Sequence, residues 1–345
     1  MPGVSRTFAL TIPQLPESLR PAITNAYLLC RIADTVEDST EMAPQDKDIH
    51  YQCLLAGLDD ENAAQAFAAG LLDTDLINDP LECELITETP KVLHVFGELP
   101  LEQQAALRDC LHTMCRGMAE FEHLKSPYGL ESSGCMRDYC YIVAGCVGEM
   151  LTRLFADTHP QIHAQREEML RLSVAFGQGL QMTNILKDVW DDQQRGICWL
   201  PRDVFAAHGI DLTKAENWQD HPGYREGIRY LVGVAHHHLQ LAQDYTLRIP
   251  ASEAGMRRFC SWSIGMALST LRNIAAQPGY SSGQEVKISR RRLRMIIAAN
   301  SLSAGNDTLL RGVFRWGRHQ LPYIKAADIG SLQAEPRQNM EPVKG

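Results

Sequence analysis

Apolar residues recur at intervals of three and four over most of this chain. Between Pro16 and Asp38, the series Leu19, Ile23, Ala26, Tyr27, Leu29, Cys30, Ala33 and Val36 keeps the helical period, with Pro16 and Glu17 suited to a first turn. The same period predicts helices over 46–58, 81–96, 101–124, 133–155, 164–192, 224–248, 254–276, 289–300 and 307–320. Breakers fall between them, among them Pro80, Pro100, Ser126-Pro127-Tyr128-Gly129, Pro160, Pro201, Pro222-Gly223, Pro250 and Gln277-Pro278-Gly279. No period-two run bounded by turns emerges, which argues against a sheet. The pattern predicts an all-α fold in which long helices surround a central cavity. Nothing inside residues 1–330 resembles a linker, so one domain is expected there, followed by a polar, disordered tail over 331–345 that contains Pro336 and Pro342.

Two interruptions of the apolar pattern carry chemistry. Asp34-Thr35-Val36-Glu37-Asp38 and Asp188-Val189-Trp190-Asp191-Asp192 each place carboxylates four residues apart, on one helical face. Tyr27 and Arg31 extend the first stripe upstream, Arg31 placed to meet a phosphate and Tyr27 to hydrogen-bond or line a pocket. The competing reading of this stripe is a surface face on which Arg31 and Asp34 merely pair. Gln181, Asn184, Asp188 and Asp192 form the second stripe, and Thr183, Ile185, Leu186 and Val189 make its surroundings too apolar for a solvated face. Asn184, Asp188 and Asp192 offer one carbonyl and two carboxylates on a line, a partial shell for an octahedral Mg²⁺. Asp34, Glu37 and Asp38 supply hard oxygens on the other helix. Two such faces in opposition would hold Mg²⁺ and, through it, a diphosphate.

Charge narrows the partners. The 345-residue chain has a net charge of −9, which argues against a nucleic-acid ligand, so an anionic substrate must be met by local cations or by metal. Ten cysteines, with no Cys-x-x-Cys and no zinc-like pairing, read as reduced thiols in a cytoplasmic protein. The first nine residues lack the features of a signal peptide and no run reaches the roughly 20 apolar residues of a membrane span, so a soluble or at most peripheral protein is expected. Gly177-Gln178-Gly179 lies within a helix and follows no strand, and reads as close helix packing rather than a dinucleotide fingerprint. His236-His237-His238 points around a helix and reads as surface, while Trp190, Trp199, Trp262 and Met182 read as core or pocket.

Asp34-Thr35-Val36-Glu37-Asp38, the segment Tyr139-Cys140-Tyr141-Ile142-Val143-Ala144-Gly145-Cys146-Val147-Gly148, and Gln181 to Asp188 continuing to Trp199-Leu200-Pro201 closely resemble the squalene and phytoene synthase family, in order and spacing from Ser5 to about Arg292. The resemblance implies an isoprenoid-synthase helical fold that joins two prenyl diphosphates, here two farnesyl diphosphates, head to head through a cyclopropyl intermediate. Ser5-Arg6-Thr7-Phe8 resembles the amino-terminal motif of the squalene-forming members, in which the Ser and Arg contact diphosphate. Phe259-Cys260 resembles a pocket pair that shapes their second step, and Val286-Lys287-Ile288-Ser289-Arg290 resembles the basic segment that they place near diphosphate and NADPH. Four positions depart from the family: Lys187, Ser289 and Ile197 each stand where an Arg is usual, and Ser263 where a Pro is common.

These residues imply a division of labour. Asp34, Asp38, Asn184, Asp188 and Asp192 hold Mg²⁺, while Arg6, Arg31 and Lys187 help neutralise the leaving pyrophosphate. Val143, Ala144, Gly145, Val147, Gly148 and Leu151 wall a dry pocket for the allylic cation. Tyr139, or the released pyrophosphate, takes the proton lost when the cyclopropane forms; a satisfied core tyrosine is the competing reading. Hydride capture from NADPH gives squalene; dehydrosqualene, phytoene or hydroxysqualene would form without it. Lys287 and Arg290 to Arg292 suit the extra phosphate of NADPH, a solvated face or a membrane surface equally. Peripheral membrane contact would serve product release.

Overall fold

A computed structural model describes residues 10–334, apart from 75 and 215. The chain divides into two compact units. One runs to His123 and takes up Glu149–Arg166; the other comprises Leu124–Gly148 and the chain from Glu167 onward. Among the described residues there is no strand, only an isolated bridge between Leu130 and Pro201.

In the first unit, helix Arg20–Asp38 packs on Leu101–Glu122, Thr89–Glu98 and Pro80–Thr87, and Pro44–Ala56 packs on Leu101–Glu122 and Glu61–Leu72. Ile23, Ala26, Leu29, Ile32, Ala33 and Val36 are buried, so the apolar stripe read from the sequence faces the core. This turns Tyr27, Arg31, Asp34 and Asp38 to the opposite, more open side. Lys47 is buried, and its ammonium donates to the Glu37 carbonyl at 2.9 Å and pairs with Glu122 at 3.0 Å, tying down the end of the acidic helix. Helix Glu61–Leu72 was not expected. Its buried residues Ala64, Phe67, Ala68 and Leu71 keep the helical period, but alanine contrasts weakly with polar neighbours. The segment expected as one helix over 81–96 is two, divided at Glu88 ahead of Pro90, whose ring cannot continue the hydrogen-bond ladder.

In the second unit, helix Ser133–Cys140 opens into a π-helical segment, Tyr141–Gly145, where Cys146 N–H donates to the Tyr141 carbonyl five residues back. The 29-residue helix Arg166–Gln194 crosses this segment at close quarters. A Cβ on Gly177 would lie 2.1 Å from the Ala144 carbonyl oxygen, and one on Gly148 would lie 2.3 Å from that of Ser173. Gly177 is therefore a contact glycine, as its place inside a helix implied. Helices Pro222–Arg248, Ala254–Ala276, Arg290–Ser303 and Asp307–Arg318 complete the core of this unit.

Three expectations need correction. His236 and His238 are buried, not on the surface: their rings donate to the carbonyls of Pro322 (2.7 Å) and Leu332 (2.9 Å), fastening the chain that follows the last helix. That chain packs beyond the expected boundary at 330, since Leu332 is buried and Ser331 and Ser133 hydroxyls are 2.7 Å apart; residues 335–345 lie outside those described. Finally, the helical stretch Ser133–Thr158 is long and apolar enough to cross a membrane by length and composition, although 61% of its most apolar window is buried, as in a core helix.

Candidate functional site

The first acidic stripe gathers three carboxylates around Arg31. Arg31 Nη1 lies 3.6 Å from Asp34 and 3.5 Å from Asp38, while its other amino group bonds Glu82 from helix Pro80–Thr87. Three carboxylates thus share one guanidinium. The pairing of Arg31 with Asp34 that a plain surface stripe requires is present, but Arg31 divides itself among Asp34, Asp38 and Glu82. Desolvation pushes the Asp34 carboxyl up to about 7 against the pull of Arg31, with Asp38 and then Glu82 adding to the rise. Burial opposes the charge on Arg31, yet the three carboxylates outweigh it and raise its pKa further. Arg31 Nε is buried without a hydrogen-bond partner. Tyr27 lies on the same half-buried face. Glu82 is the residue that sequence reasoning missed: it sits 51 positions from Arg31, and no local spacing announces the pair.

A carboxylate held near 7 leaves a mark on stability. In metal-free protein Asp34 binds its proton more tightly when folded than when unfolded, where its pKa is about 4. Folding then takes up a proton between those values, so stability falls as pH rises from about 4 to about 7 and the penalty is complete above that. Asp34→Asn should therefore raise the melting temperature at pH 8, with the gain vanishing by pH 4, as thermal unfolding in the presence of EDTA would show.

The second stripe, in the other unit, lies on helix Arg166–Gln194. Asn184 is exposed, Gln181 and Asp188 are half-buried, and Asp192 is buried. Here cations already stand against the carboxylates: Lys187 Nζ is 3.1 Å from Asp188, and Arg195 Nη2 is 2.5 Å from Asp192. A turn carrying residues 280–287 rests on this helix. The Tyr280 hydroxyl donates to the Leu186 carbonyl, Trp190 Nε1 donates to the Tyr280 carbonyl at 2.7 Å, and a Cβ on Gly283 would lie 3.0 Å from the Lys187 carbonyl and 3.8 Å from Asp188 Oδ1. Asn273 Nδ2 holds the Val286 carbonyl at 3.0 Å. Lys287, an exposed residue whose Nζ is 3.5 Å from Gln284 Oε1, thus belongs to the segment that packs against Asp188, although nearly a hundred residues separate them.

The expected pocket wall coincides with the π-helical segment, which holds Val143, Ala144 and Gly145. Irregular turns of this kind recur at functional sites. Val143 and Ala144 are half-buried and Gly145 is buried. Tyr139 precedes the segment, buried and stacked on Trp199 with ring centroids 3.8 Å apart and planes within 9°. The Trp199 segment is brought there by backbone pairing, Cys198 N–H donating to Ser126 and Leu130 N–H to Leu200. The stack fixes the orientation of the Tyr139 ring. Ser5, Arg6 and Phe8 lie outside the described residues.

The model of the family described as squalene/phytoene synthase matches residues 1–292 of this chain. The chain belongs to that family. Squalene synthase ERG9 of Gibberella zeae is 28% identical over 284 residues, which cover 79% of this chain and 57% of that protein. The chain therefore spans less than two thirds of the length of that relative. A solved complex of TcSQS with the ligand BPH1237 superposes with a TM-score of 0.69 at 21% identity over 96% of each chain. A ligand-bound dehydrosqualene synthase does so with a TM-score of 0.57 at 22% identity, over 86% of this chain and 90% of the other. These structures confirm the all-α, isoprenoid-synthase fold.

Within this squalene/phytoene synthase family member, two departures from the family pattern acquire physical roles. Ser289 caps helix Arg290–Ser303, its hydroxyl accepting from Arg292 N–H at 3.2 Å, so position 289 serves the backbone instead of carrying a cation. Ser263 sits inside the uninterrupted helix Ala254–Ala276, where a proline would remove a hydrogen bond, and its hydroxyl lies 3.5 Å from the Phe259 carbonyl. Phe259 and Cys260 are both buried on this helix.

Proposed function

We propose that this chain condenses two farnesyl diphosphates head to head to presqualene diphosphate and reduces that intermediate to squalene with NADPH. The observation that carries the reading is the cluster at Asp34: in a squalene/phytoene synthase family member, three carboxylates gather around one arginine and offer hard oxygens suited to a cation. Among the described residues no group of three or more acidic, histidine or cysteine side chains is preassembled as a metal cage. The donor set nevertheless suits Mg²⁺, a hard cation that takes few protein carboxylates and completes its shell with water and phosphate oxygens. In the first unit Asp34, Glu37 and Asp38 would hold Mg²⁺; in the second, Asn184, Asp188 and Asp192 would do so for an ion there. Bound there, Mg²⁺ supplies charge neutralisation for a departing diphosphate.

The chain's own groups do the remaining work. Arg31 and Lys187 would each exchange a carboxylate partner for phosphate oxygen. Arg195 must release Asp192 before that carboxylate can bind metal. Val143, Ala144 and Gly145 would keep water from the allylic cation, and Tyr139, stacked on Trp199, would accept the proton lost on ring closure. Lys287 meets the diphosphate or NADPH beside Asp188, with Arg290 following it.

A second reading, a product formed without NADPH such as dehydrosqualene, phytoene or hydroxysqualene, is favoured by Ser289, which caps a helix where the family places an arginine. Incubation with farnesyl diphosphate and Mg²⁺, with and without NADPH, separates the two. Squalene that appears only with NADPH supports the first; the same hydrocarbon or alcohol in both tubes supports the second. No turnover in either would sink both.

A further inference from the structure

The last two helices form a surface unlike the rest of the molecule. Residues 287–325 contain nine Lys and Arg and a single acidic residue, Asp307, in a chain whose net charge is −9. Asp307 is itself bound by the buried Arg257, at 2.7 Å. Among the described residues no ion pair engages Arg291, Arg294, Arg311 or Arg315. Among the described residues, a protein with an acidic excess elsewhere thus keeps one cationic face without acidic partners.

That face is also apolar. On helix Arg290–Ser303, residues 291, 294, 295, 298 and 302 are all exposed and recur at the spacing of one helical stripe, which is basic at its start and ends in Leu302, 85% exposed. On helix Asp307–Arg318, Leu310 and Phe314 are buried while Leu309 and Trp316 stand 57% and 50% exposed, with Arg311 and Arg315 on the adjoining side. The three residues between the helices turn the chain back sharply, and Arg292 at the start of one lies over the Trp316 ring near the end of the other, 5.1 Å from its centroid. The pair is therefore antiparallel and its two open faces adjoin. Arg272 approaches the same ring at 5.9 Å, so a half-exposed tryptophan is held in place by two cations.

Exposed tryptophan and leucine amid arginines without acidic partners is the chemistry of a membrane interface: apolar side chains enter the boundary of the acyl chains while arginines meet lipid phosphates. We infer that helices Arg290–Ser303 and Asp307–Arg318 dock this protein, peripherally and reversibly, on a bilayer surface rich in anionic lipid. The inference does not depend on the catalytic reading, because it concerns a surface and no reacting group.

Co-sedimentation of the full-length protein with vesicles tests it without substrate. Vesicles of phosphatidylcholine with about a third phosphatidylglycerol should bind the protein, binding should weaken steeply at 0.5 M NaCl, and pure phosphatidylcholine should bind far less. Each arginine near the surface is worth about five-fold in affinity, so R311E/R315E should lose roughly 30-fold or more. Leu302→Asp, at an 85% exposed position that leaves the fold undisturbed, should also weaken binding, and unchanged circular dichroism would confirm that both variants fold. Absence of binding to anionic vesicles overturns the inference, as does wild-type binding by either variant. A dimer in solution that dissociates on the Leu302 substitution, without vesicle binding, would assign the surface to a second copy of the chain and equally overturn it.

Discussion

Asp34→Asn and Asp188→Asn should each lower presqualene diphosphate formation by about 10²–10³-fold or more, measured with labelled farnesyl diphosphate and Mg²⁺ without NADPH so that only the first half-reaction is read. Asparagine keeps the shape and one carbonyl oxygen but removes the charge, so the loss isolates the carboxylate's part in binding the cation. Neither variant should fail to fold. Desolvation and the neighbouring Asp38 and Glu82 disfavour the Asp34 charge, and the Asp34→Asn protein is expected to be the more stable above neutral pH. Asp188 pairs with Lys187 at a position about a third exposed, where an ion pair adds little. Ordinary turnover by either variant would remove that residue from the metal site. The opposite signs expected at Asp34, lower activity and higher stability, reflect one cause: a carboxylate whose charge Arg31 only partly offsets stands at the proposed cation site.

The helical face that carries Tyr27, Arg31, Asp34 and Asp38 was legible because a 3.6-residue period relates residues within one element. The same holds for Gln181 to Asp192. What escaped was every partner that tertiary packing supplies. Glu82 reaches Arg31 from another helix, Tyr280 and Gly283 seat the Lys287 segment on the second stripe, and Trp199 stacks on Tyr139 through a backbone pairing that no periodicity encodes. His236 and His238 were misjudged for a related reason: as consecutive polar residues they read as surface, but carbonyls of the distant chain at 322 and 332 satisfy them inside the protein. The π-helical turn at Tyr141–Gly145 was equally hidden, since an extra residue per turn leaves the local apolar pattern nearly unchanged. Gly177 is the exception, a tertiary contact foreseen because glycine in the middle of a helix carries a cost that close packing explains.

Gly177→Ala should accordingly be the most damaging conservative substitution in the second unit. Its methyl group would lie 2.1 Å from the Ala144 oxygen, 2.5 Å from the Ala144 carbonyl carbon and 2.8 Å from Gly145 N, all of them backbone, so no flexible side chain can move aside. Relief requires helix Arg166–Gln194 to retreat from the π-helical segment, which loosens the contact on which Val143, Ala144 and Gly145 depend. Overpacking of this kind costs about 3 kcal/mol, although alanine improves intrinsic helix propensity by nearly 1 kcal/mol, and the steric term wins. The melting temperature should fall by roughly 5 °C or more. Gly312→Ala supplies the control, since a Cβ there meets nothing within 4 Å in helix Asp307–Arg318 and should leave stability unchanged or slightly raised. Because the crossing at Gly177 also sets the proposed pocket wall, the Gly177 variant should lose product formation at temperatures where circular dichroism still reports a folded chain. An unchanged or raised melting temperature at both glycines would mean that helix propensity, not the crossing, governs the effect.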